Sequence, residues 1–162
     1  MANTFPTVNN ATGTFEAYSN DVQAQAAPVA GLTVAIPLFV ARGQSATLLS
    51  LAANTITVAE TSVARVLRLD VNVTASSTVS EALTLSLVSD PSAGAVVVAS
   101  TRANTGAAGG TANIHLQATV SIAAGALLTA RTFGLKITAP AGDVSIGVSG
   151  GRGVSVIADI LS

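Results

Sequence analysis

The sequence predicts an all-β protein, a single sandwich or barrel of short strands. Apolar and polar residues alternate over strand-length runs, and turn-forming residues separate those runs. No apolar stripe of 3.6-residue period reaches a useful length. With 162 residues the chain is long enough for one domain with a proper core.

Taken in order, residues 1–20 hold no sustained period. They contain Asn, Thr and Gly, with Phe5, Phe15 and Tyr18 spaced as possible anchors. This stretch reads as an extended N-terminal arm, taken to residue 25, ahead of a sandwich over residues 26–162. A frayed terminus is the other reading. From about Gly31 the chain reads as strand after strand. The clearest runs from Val63 to Thr74, with Val63, Arg65, Leu67, Leu69, Val71 and Val73 on one face. Leu83, Leu85 and Leu87 alternate with Thr84 and Ser86. Ile114, Leu116, Ala118, Val120 and Ile122 alternate with His115, Gln117, Thr119 and Ser121. Phe133, Leu135 and Ile137 make a shorter run, and Val144, Ile146 and Val148 another. The last strand, Val154 to Leu161, is apolar on both faces at its ends, which makes Ile157 and Leu161 candidate subunit-contact positions. Between the runs lie Asp90-Pro91, Gly109-Gly110, Ala124-Gly125, Pro140-Ala141-Gly142 and Gly150 to Gly153, all turn signals.

Composition narrows the function classes. Charged residues are 9% of the chain and aromatic residues 3%, against 49% apolar; an average soluble domain is about 25% charged. So little charge predicts that much of the outer surface is covered by partners or by small neutral side chains. The abundance of Val, Ile, Leu and Thr argues against disorder. The longest apolar stretch, Pro28 to Ala41, holds two prolines and is too short to cross a bilayer, so no membrane span is expected. The start of the chain lacks a basic, apolar leader pattern, which predicts synthesis in the cytosol. A net charge of −1 with no basic stripe predicts no nucleic-acid partner.

Candidate chemistry is sparse. His115 is the only histidine and sits on the polar face of a regular strand. The eight carboxylates form no metal-ligand spacing, there is no cysteine, and no Gly-x-Ser-x-Gly elbow occurs. No catalytic residue, metal or cofactor is expected, and the protein reads as a non-enzyme. Arg65 falls on the inward face of its strand, where it needs a buried acid, a carbonyl or a place at a subunit axis. A slipped register would instead turn it outward.

Residues 56–76, ITVAETSVARVLRLDVNVTAS, join a short strand ending in Val-Ala-Glu-Thr to a long alternating strand. This pattern resembles the middle of jelly-roll domains of the tumour-necrosis-factor/C1q type, in particular the branch at the tips of bacterial spore-surface collagen-like glycoproteins. The later run GTANIHLQATVSIAAGALLTARTFGLKITAP, its Gly-rich turn and the final apolar strand extend the similarity over roughly residues 30–162. Ser62-Val63-Ala64 replaces the family's Gly-aromatic pair, and no Gly-X-Y stalk precedes the domain. The resemblance implies a jelly-roll β-sandwich that forms a homotrimer. Phage head-decoration proteins and fibre tips use similar trimers. The expectation is therefore a virion structural protein at the particle surface, with capsid proteins as partners. A spore- or cell-surface layer protein of the same fold is the alternative. A receptor- or glycan-binding module reading through residues 102–111 and 150–153 is a third.

Overall fold

In a computed structural model the chain is described over residues 11–19, 23–25, 32–33, 40–42, 48–52, 54–60, 62–91, 95–147 and 153–161. Thirteen strands occur there: β1 (Ala11–Ser19), β2 (Gln23–Gln25), β3 (Leu32–Thr33), β4 (Val40–Arg42), β5 (Leu49–Ala52), β6 (Thr55–Val58), β7 (Arg65–Ser77), β8 (Ala82–Ser89), β9 (Val96–Asn104), β10 (Thr111–Ile122), β11 (Thr132–Thr138), β12 (Val144–Ile146) and β13 (Val154–Leu161). One 3-10 turn, Leu128–Arg131, is the only helical piece among the described residues.

All strand pairs are antiparallel, and the principal ones are nested. β1 pairs with β13, β6 with β11, β7 with β10, and β8 with β9. First pairs with last and innermost with innermost, as when one long hairpin is rolled into a double-sheet sandwich. In the first sheet β7 takes β10 along one edge, while β13 and then β12 share the other. β1 follows β13 and β4 follows β1, with β2 beside β12. The second sheet runs β5-β6-β11-β8-β9, with β3 also on β11.

Period two builds the core. On β7 the odd residues from Leu67 to Ser77 are buried and the even ones at least partly exposed. Leu67, Leu69, Val71 and Val73 face Leu83, Leu85, Leu87, Phe133, Leu135 and Ile137 of the other sheet within one apolar cluster. Each such aliphatic side chain contributes about 1.5–3 kcal/mol of burial. β13 buries Val154, Val156, Ala158 and Ile160 on the same inner face.

Two expectations are corrected. Residues 11–19, read as part of an arm leaving the domain, are strand β1, hydrogen-bonded to β13 on one side and β4 on the other. A strand whose neighbours supply the pairing needs no strong period of its own. The long strand starts at Arg65; Val63 lies in a bend before it and is exposed. The bounds of β13 agree with expectation.

The pairing fixes two ends of the sandwich. At one end Ala11 lies opposite Leu161, and Leu161 opposite Val66. The connections after β6, β8 and β10 turn there too. At the opposite end Glu81 ties two turns together. Its carboxylate accepts the N–H groups of Ala141 (2.8 Å) and Gly142 (3.0 Å) and the hydroxyl of Ser77.

Candidate assembly surface

Among the surfaces this architecture leaves open, one face and one edge bear on assembly. The face is the outside of the first sheet. Even-numbered residues of β7 meet the odd-numbered residues of β10 and β13 there, row by row: Thr119–Arg68–Asp159, Gln117–Asp70–Ile157 and His115–Asn72–Ser155. The first two rows line a shallow depression of about 490 Å³, and the His115 row lies beside it.

The charged groups on this face are hydrogen-bonded within it. Arg68 donates from Nε to Asp159 Oδ2 at 3.0 Å, and a second guanidinium nitrogen bonds the same oxygen. Asp159 is 6% exposed although it lies on the outward side of β13. Asp70 is held by three neighbours: Gln117 Nε2 at 2.9 Å, His115 Nε2 at 3.0 Å and Asn72 Nδ2 at 3.4 Å. The Gln117 amide first, and then the His115 ring and the charge of Arg68, hold the Asp70 carboxyl below its ordinary range against the opposing effect of burial. Beside these groups Ile157 shows an apolar side chain to solvent.

The edge that bears most on assembly is β9, one of several open edges, β10 among them. Among the described residues it is hydrogen-bonded on one side only, to β8. Its first three residues, Val96, Val97 and Val98, are 62%, 59% and 39% exposed. A nine-residue edge opening on three exposed valines is a template for association unless something covers it. Val63, Leu127 and Leu128 are exposed in the connections at the same end. The stretch from Ala123 to Ala130 carries no charge.

The candidate residues fall in different places. Phe5 lies outside the described residues. Phe15 is opposite Ala158 in register and Tyr18 opposite Ser155, both in β1. Arg65 opens β7 on the inward side, as the alternation indicates, and its Nε is buried without a hydrogen-bond partner among the described residues. Ile157 lies on the open face and Leu161 is half-buried at the end of β13. Sequence reasoning missed the Arg68–Asp159 and Asp70–His115 pairs, because only pairing register brings them together. It also missed the β9 edge, although three consecutive valines were a usable signal.

No protein-family model and no curated protein matches this sequence. Solved structures do. Murine APRIL superposes with a TM-score of 0.55 at 7% identity, covering 91% of this chain and 98% of that one. The PRD1 vertex protein P5 gives 0.54 at 10% identity, over 94% and 98%. Eiger TNF from S. frugiperda gives 0.52 at 10% identity, over 93% and 91%. The fold is a jelly roll of the tumour-necrosis-factor/C1q type. At such identities the likeness is one of fold alone.

Proposed function

We propose that the protein is a non-enzymatic structural subunit of a virion, of the bacteriophage capsid-decoration, cement or fibre kind, working as a homotrimer at the particle surface. The observation that carries the assembly is the match between the open edge and the open face. The valine-rich start of β9 exposes apolar surface that water disfavours. The outer face of the first sheet holds Arg68 and Asp159 in an ion pair and Asp70 in hydrogen bonds, which lowers the desolvation cost of covering it. Edge on face is a head-to-tail contact, and three such contacts close a ring. Ile157 of the face and Val97 of the edge are the apolar groups placed to meet. Arg65 and Leu161 lie at the same end as the edge valines.

The PRD1 vertex protein P5 supports a virion setting, and the low charge of the chain supports a life in contact with other subunits. The exposed apolar connections cluster at the end where β1 begins, so that end is assigned to contact with capsid proteins. Sedimentation velocity tests the assembly. The wild type runs as a trimer at micromolar concentration, and V97D runs as a folded monomer. A wild type that stays monomeric sinks the reading.

A further inference from the structure

We propose that trimer formation is coupled to protonation of His115, so that the assembly tightens as pH falls from about 8 to about 5.5. The inference rests on the edge-to-face trimer proposed above and adds its regulation.

Among the described residues, the charged groups around this histidine can be named. On β7 stand Arg68 and Asp70, and on β13 Asp159. β10 carries no other ionisable side chain, and β9, alongside it, carries only Arg102, which is exposed. Further along the rows, Glu16 of β1 is opposite Ile157, and Arg42 of β4 is opposite Thr14, the partner of Asp159. Arg68 and Asp159 are committed to each other through two hydrogen bonds. Asp70 is the carboxylate whose nearest titratable partner is His115, 3.0 Å away.

In the single chain both groups stand partly in water, and their pairing stabilises little. A neighbouring copy changes the balance by removing the water. The Gln117 and Asn72 amides can hydrogen-bond the Asp70 carboxylate but cannot cancel its charge, and neither can a neutral imidazole. An imidazolium does both. The valines placed to cover the face, Val96 to Val98, bring no charge of their own. Covering the face therefore favours the protonated ring, and association takes up a proton for each contact. By linkage the contact is strongest at low pH and loses this contribution as pH rises through the proton-binding range of the assembled form. The lower limit is set by Asp70, whose carboxyl stays ionised below the ordinary carboxylate range.

One histidine per chain makes the test clean. Fluorescence-detected sedimentation from nanomolar to micromolar concentration compares pH 8 with pH 5.5 for wild type, H115Q and D70N, each checked for folding by far-UV circular dichroism. The dissociation constant per contact falls about tenfold at the lower pH in wild type, the order expected when each contact takes up one proton. It changes less than about twofold in H115Q and D70N, which lack the titrating pair. Equal wild-type affinity at both pH values, or an undiminished pH effect in H115Q, overturns the proton coupling while leaving the trimer. A wild type that is monomeric at both pH values overturns the trimer and the coupling together.

Discussion

Replacing Gly142 by alanine tests how the closed end of the roll is held. Gly142 follows β11 and is buried against the β7–β8 turn. A Cβ there would lie 2.1 Å from Ser77 Oγ, 2.7 Å from Glu81 Oε1 and 2.8 Å from Val79 Cγ2. Contacts below 3.0 Å do not persist, so the hydroxyl must retreat by about 0.9 Å (3.0 less 2.1) or rotate away. Either movement breaks its bond to the Glu81 carboxylate and its acceptance of the Val79 N–H. The first is worth about 1.5–3 kcal/mol and the second about 0.5–1.5. Alanine returns about 0.4–1 kcal/mol by restricting the unfolded chain. The net expectation is a loss of about 2 kcal/mol, within limits of about 1 and 4.

The assay is urea unfolding followed by far-UV circular dichroism at fixed protomer concentration, since the chain has no tryptophan. G142A lowers the midpoint with an unchanged slope. In an S77A background the nearest obstacle is gone, and G142A costs at least about 1 kcal/mol less than in wild type. G125A is the control: its φ of +64° strains any side chain, but no atom stands within 4 Å, so its cost is the same with or without Ser77. A G142A loss below about 0.5 kcal/mol, or strict additivity with S77A, refutes the reasoning.

Two further outcomes follow from the same contacts. Burial raises the Glu81 carboxyl, but the Ser77 hydroxyl and the Ala141 and Gly142 amides outweigh it, so its folded pKa lies below its ordinary value. That stabilisation is present above about pH 4.5 and lost as pH falls through the folded value; thermal melts show wild type above E81Q at pH 6, with the gap closing toward pH 3. On the open face, R68M leaves Asp159 without its two guanidinium bonds and lowers stability by about 1–2 kcal/mol in urea unfolding.

Much of the sandwich was legible because burial on one side writes itself into alternation. β7, β8, β10, β11 and β13 each bury every second residue against the opposite sheet, and their runs stand out. β9 escaped for the opposite reason. It opens on three exposed valines, so polarity and exposure do not correlate along it. β1 escaped because its place comes from pairing with β13, a partner some 140 residues away. The candidate surface was less legible still. Arg68 and Asp159 are 91 positions apart, and Asp70 and His115 are 45 apart. His115 was visible as a lone polar-face histidine; its carboxylate partner depends on the register of β7 against β10. Charge scarcity suggested assembly without showing which surface serves it.

The central claim is that the β9 edge of one copy meets the outer face of the first sheet of the next. A chain with no native cysteine allows that contact to be trapped. V97C/I157C, treated with a short bis-maleimide at micromolar concentration, should yield a covalent trimer on a denaturing gel. V97C alone and I157C alone should stay monomeric, since head-to-tail packing never brings identical positions together. Dimers from V97C alone, or no cross-linked species from the double variant, would contradict the account.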